Sequence, residues 1–132
     1  MTFAFTHTIA QVTLRVTVVP MGDDLALSVY GGDAPHIGCV ALAIPRPSLT
    51  GVGQSATVSV LNRTGHKDDV IAVDLAKALA AATGGVVSTS VGVHLDAIDP
   101  ATRDALAQAG NTLADKVIAH LKAVSYTHLT LP

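Results

Sequence analysis

The chain has a single cysteine, Cys39, in 132 residues. One thiol cannot form an internal disulfide, so a reducing cytoplasm suits this protein. Charge is scarce as well: Asp, Glu, Lys and Arg make up 14% of the residues, and the formal net charge is -2. No basic stripe is present, which argues against nucleic acid as a partner. So thin a charge density suits a surface that a second subunit partly covers. Tryptophan is absent. The first residues lack the charged start and apolar run of a secretory leader, so none is expected. No apolar run is long enough to cross a membrane, and Asp74 and Lys77 interrupt the best candidate.

The apolar fraction is 49%, enough to build a core and too high for a disordered chain. The length suits one domain. Its last segment, Val124-Ser125-Tyr126-Thr127-His128-Leu129-Thr130-Leu131-Pro132, resembles the translation of a sequencing adapter. We therefore expect a single domain over residues 1–123 and a non-native tail over 124–132, with no function for His128.

Alternation at period two marks Phe3 to Ile9 and Val12 to Val18 as strands. The phase flips between them, so a bulge or sharp bend is expected near Ala10-Gln11. Met21-Gly22-Asp23-Asp24 reads as a turn, after which Leu25, Leu27 and Val29 resume the pattern as the second arm of a hairpin. Gly31 to Gly38 holds three glycines and a proline and predicts a shaped loop. Cys39 to Ile44 and Ala56 to Val60 read as strands. Ile71, Leu75, Ala78, Leu79 and Ala82 recur at helical spacing over 68–82, and Gly84-Gly85 closes that helix. Val86 to Leu95 is β-branched and reads as a strand, with Ser88, Ser90, Gly92 and His94 on one side. Asp99 and Pro100 open a long second helix striped by Leu106, Ala109, Leu113, Val117 and Leu121, in which Gly110 marks close packing. This order predicts an α+β fold: a mainly antiparallel sheet with two helices on one face. The other face would show small and polar side chains, either wet or covered by a second subunit.

The residues able to do chemistry sit at element boundaries. Asn62 to Asp69 joins a strand to a helix. Gly65 permits unusual backbone angles there, and Arg63, His66 and Lys67 crowd donors around free helix N–H groups. Such a junction can cradle a phosphate or carboxylate; it can equally be a capped helix start with solvated charges. His36 lies in the glycine-rich loop and His94 ends a strand, where Asp96 is placed to orient it. His66 lies beside Asp68 and Asp69. Three histidines can hold zinc, yet no pair has the spacing of a zinc-binding helix, so no metal is expected. No serine or cysteine sits in a nucleophile elbow, and Cys39 reads as a buried small residue. Asp33 reads as tightening its own loop.

Three motifs in order, Gly31-Gly32-Asp33-Ala34-Pro35-His36-Ile37-Gly38, Gly65-His66-Lys67-Asp68-Asp69 and Gly92-Val93-His94-Leu95-Asp96, resemble the LpdD-like prenylated-flavin chaperones. The resemblance runs from about Val12 to Leu121. It implies a fold of the proteasome-assembly-chaperone type that pairs into homodimers. It also implies binding of prenylated FMN and help in loading a UbiD-type decarboxylase, with the flavin prenyltransferase as a further partner, and no reaction of its own. The flavin phosphate would then lie at Arg63, Gly65, His66 and Lys67, with His36 and His94 reaching the ring edge or ribityl hydroxyls. Ser88, Ser90 and Gly92 would leave room above the sheet for a flat ligand, and Phe3, Phe5 or a second subunit would supply stacking. Two other readings stay open: a small decarboxylase subunit or enzyme using His36, His66 and His94 as acid or base, and an assembly factor that binds protein alone.

Overall fold

A computed structural model describes residues 1–63 and 68–130, with side chains to residue 124. Six strands form one sheet: β1 (Phe3–Ile9), β2 (Val12–Met21), β3 (Asp24–Gly32), β4 (Cys39–Pro47), β5 (Gln54–Asn62) and β6 (Val87–His94). Their spatial order is β1-β2-β3-β6-β4-β5. Every neighbouring pair is antiparallel except β3 and β6, which run parallel. The fold is α+β, as the sequence predicts.

Two of the turns follow directly from local chemistry. The expected bend at Ala10-Gln11 is a two-residue hairpin turn, in which Ile9 pairs with Val12 and both central residues take positive φ, 49° and 69°. That is the backbone hand that lets two twisted strands meet through so short a loop. At the next turn Gly22 takes φ 63° between β2 and β3.

Helix α1 (Asp69–Thr83) crosses one face of the sheet and ends at Gly84, whose left-handed φ of 75° lets its N–H reach the Ala80 carbonyl. Its apolar stripe, Ile71, Leu75 and Leu79, is buried against Val87, Val91 and Ala41. Thr89 is the one polar side chain facing the helix from β6, and its hydroxyl donates to the Ala72 carbonyl at 2.9 Å. A buried hydroxyl with a partner costs far less than one without.

The second helix differs from expectation. Instead of one long helix there are two, α2 (Pro100–Ala107) and α3 (Ala109–Thr130). Asp99 caps α2, accepting from the Thr102 N–H at 2.7 Å, and this bond holds its carboxyl below the usual range. The break falls at Gln108, where φ -99° and ψ 0° leave helical geometry. Two residues on, Gly110 lies against α1: a Cβ there would stand 2.7 Å from the Asp74 Cβ and 2.8 Å from the Ile71 carbonyl oxygen. The close packing expected of Gly110 is present, and it places the start of α3 directly on α1. Helix α3 continues over β1, where Phe3 stacks on His120 with ring centres 3.7 Å apart.

Among the described residues, Leu121 is the last of α3 packed on the core, and Val124 is half exposed. Deleting Ser125 to Pro132 should therefore shift Tm by less than about 4 °C, which is near 1 kcal/mol for a domain of this size. A larger fall on calorimetry would show that the tail packs.

The opposite sheet face carries no helix. It displays Ser28, Ser88 and Ser90 in the middle, with Val19, Leu42, Ile44 and Leu61 exposed around them.

Candidate functional site

The strand order brings one end of the sheet to a focus. β3, β5 and β6 all end there, β4 starts there, and α1 follows β5 from the same edge. Crevices at the carboxyl ends of parallel strands, beside a helix N-terminus, are where open sheets bind ligands. The chain leaving β3 must step over the end of β6 to reach β4, because β6 lies between them. The glycine-rich loop makes that step.

Hydrogen bonds pin the loop at both ends. The Asp33 N–H donates to the His94 carbonyl at 2.7 Å, and the Gly38 N–H donates to the Val91 carbonyl at 2.9 Å. The Asp33 carboxylate accepts from the Asp96 N–H at 2.9 Å, so this side chain ties two segments together rather than tightening its own loop. Glycines make the crossing possible. A Cβ on Gly92 would collide with the His36 carbonyl oxygen, and one on Gly38 with the Asp68 carboxylate. Room above the sheet at Gly92 is therefore not available to a flat ligand: the chain's own loop fills it.

Asp68 joins the loop, α1 and β6. It stands at the helix cap position, yet its carboxylate makes no capping bond. One oxygen accepts from the Val93 N–H at 3.1 Å and the other lies 3.3 Å from His36 Nε2. The residue is only 6% exposed. His36 Nδ1 lies 3.0 Å from the Ala34 carbonyl oxygen, so both ring nitrogens already face acceptors. His36 thus anchors the loop through both ring nitrogens. Sequence reasoning set Asp68 beside His66; its described partners are His36 and Val93.

His94 lies across from His36, ring centres 6.4 Å apart and planes at 75°. Asp96 orients it, with 3.2 Å between the carboxylate and Nε2, as expected, and both side chains are well exposed. Arg63 reaches the same place from β5. Its N–H donates to the Gly38 carbonyl at 2.8 Å and its guanidinium donates to the Ile37 carbonyl at 3.1 Å. One N–H of a five-donor group is thereby used to hold the loop. Gly65, His66 and Lys67 lie outside the described residues, between Arg63 and Asp68. The described parts of the three candidate motifs therefore meet at one edge, where Arg63 also bonds the loop that carries His36.

Cys39 is 1% exposed. Burial, then the charges of Asp69 and Asp68, raise its thiol pKa, so little thiolate forms. Among the described residues no cluster of His, Cys, Asp and Glu is placed to hold a metal ion, and no helix is long and apolar enough to cross a membrane.

Sequence reasoning missed a cavity of about 460 Å³ beside this edge, between the first turn of α1, the end of β6 and α2. The apolar residues around it look like ordinary core positions in the sequence. Arg103 of α2 completes its wall.

Comparison with known proteins agrees with the motif pattern. Residues 8–122 match the family described as the prenylated flavin chaperone LpdD-like domain. Protein LpdD of Lactiplantibacillus plantarum is 30% identical over 121 residues, covering 90% of this chain and 85% of that protein. A solved structure titled as a novel chaperone complex for yeast 20S proteasome assembly is similar at a TM-score of 0.49 and 19% identity, over 92% of this chain and 96% of that one. With its sequence matched almost from end to end, the chain belongs to the prenylated flavin chaperone LpdD-like family.

Proposed function

We propose that this protein is a cytoplasmic carrier of prenylated FMN that assists its delivery to a UbiD-type decarboxylase, without turnover of its own. The observation that carries the reading is the convergence of His36, Arg63, Asp68 and His94 on one sheet edge in a member of this family. Arg63 and the adjoining segment to Lys67 would take the phosphate, and His94 would meet the ring edge or ribityl hydroxyls. The engaged nitrogens of His36 and the buried thiol of Cys39 favour holding a ligand over acid–base or nucleophilic chemistry. Purification after co-expression with the flavin prenyltransferase should yield a yellow protein whose released ligand has the mass of prenylated FMN. That material should activate apo-decarboxylase faster than free cofactor does. Colourless protein and no gain in activation would leave the reading without support.

The helix-free sheet face fits a second copy of the chain. Besides Arg15 and Arg46, this face exposes the aliphatic side chains of Leu42, Ile44 and Leu61, the kind of surface that a partner covers. Light scattering at micromolar concentration should give twice the chain mass; a clean monomer would contradict the dimer.

A further inference from the structure

The cavity of about 460 Å³ beside α2 is of ligand-binding size. Its apolar wall comes from Val70 and Ile71 of α1, Val93 and Leu95 at the end of β6, and Ile98 and Leu106 around α2. Val70 and Ile98 are each 44% exposed, so the rim keeps aliphatic surface in water. Three polar side chains complete the lining: Asp68, His94 and Arg103. The first two have partners, His36 with the Val93 N–H and Asp96 respectively. Arg103 alone of the three has a guanidinium that makes no hydrogen bond or ion pair among the described residues; its backbone N–H makes only the helical bond to Asp99.

We infer that this cavity binds an amphipathic monocarboxylate, with an apolar body of one or two rings against the aliphatic wall and its carboxylate on Arg103. The planar guanidinium fork matches a carboxylate with two parallel hydrogen bonds. Asp68 in the same wall repels a second anionic group, which selects against dicarboxylates and phosphate dianions. The aliphatic side chains supply the remaining attraction through burial of the ring. The cavity shares His94 and the first turn of α1 with the proposed flavin site, but its anion anchor, Arg103, and its ligand chemistry are its own. It does not depend on the flavin reading.

The test uses the full chain without flavin and two probes of the same shape, 2-naphthoate and 2-naphthylmethanol. Calorimetric titration of the wild type should show saturable 2-naphthoate binding, with amide shifts of Val93, Leu95 and Ala107 in NMR spectra. In Arg103→Gln, 2-naphthoate should bind tenfold to a hundredfold more weakly, as expected for loss of a charge-assisted pair. Its 2-naphthylmethanol affinity should stay that of the wild type. Arg103→Lys should recover part of the loss, because the charge returns without the fork. Val70→Trp, a change at the exposed rim, should fill the space and abolish both. The inference is overturned by absence of saturable 2-naphthoate binding at millimolar concentration, by equal affinities in wild type and Arg103→Gln, or by shifts confined to the helix-free sheet face.

Discussion

Asp68→Ala should lower stability by about 2–4 kcal/mol. The change removes the acceptor of the Val93 N–H, and a part-buried donor left without a partner costs about 1–3 kcal/mol. It also removes the carboxylate that faces His36 in a nearly dry spot. Loss of one partner from a buried pair is expensive, and the partial exposure of His36 places this case below the 3–5 kcal/mol of a fully buried one. For a domain of this length, Tm should fall by roughly 10 °C, measured at fixed protein concentration because association would shift it. Asp68→Asn separates the two contributions. It keeps an oxygen for Val93 and loses the charge, so it should fall by about half as much. His36→Ala should resemble Asp68→Asn, and the double variant His36→Ala with Asp68→Ala should cost less than the sum, because the two side chains share one interaction. If Asp68→Ala melts with the wild type, Asp68 does not tie the loop, α1 and β6 together. Destabilisation by Asp68→Ala with no effect of His36→Ala would assign the effect to contacts of Asp68 other than His36, the Val93 N–H among them.

The strands, α1 and the sheet faces were legible because they depend on periodicity. Val87, Thr89 and Val91 against Ser88 and Ser90 is a pattern of side chains, and it survives into the fold unchanged. The Ala10-Gln11 turn was visible only as a phase flip, since neither residue announces positive φ. The division of the second helix was hidden. Nothing in Ala107-Gln108-Ala109 opposes helix, and the break comes with the packing of Gly110 on α1, a tertiary demand. The site was half legible for a related reason. Glycines and histidines at element ends stand out, but their meeting depends on β6 lying between β3 and β4. The sequence showed Asp68 only as a neighbour of His66, and its ties to His36 and the Val93 N–H depend on the tertiary fold. Here it forgoes the cap for partners far away in the chain. Gly92 was read as open space, when its missing side chain is what admits the loop backbone.

Under the proposed carrier function, Lys67→Ala should weaken binding of prenylated FMN, or FMN itself, about tenfold to 150-fold, and His66→Ala should do so to a similar or smaller degree. The cradle lies between Arg63, whose guanidinium keeps further N–H groups beyond the one given to Ile37, and the first turn of α1. The helix end offers free N–H groups and a partial positive charge. Asp69 in that first turn opposes an anion, and the Asp68 charge is shared with His36. The net attraction for phosphate must therefore come from the basic side chains, which makes the effect of removing one large. Loss of one charge-assisted hydrogen bond to phosphate is worth about 1.5–3 kcal/mol, and this converts to the stated range of affinity. Stability should barely move, in contrast with Asp68→Ala. Riboflavin supplies the control. It lacks the phosphate, so the wild type should bind it poorly and Lys67→Ala should lose little further. Raising ionic strength should weaken FMN binding to the wild type more than to Lys67→Ala, since screening acts on the charge that the variant lacks. Fluorescence titrations of both ligands decide the matter. Unchanged FMN affinity in Lys67→Ala and His66→Ala would remove the phosphate from this junction and take away the main support for the proposed flavin site.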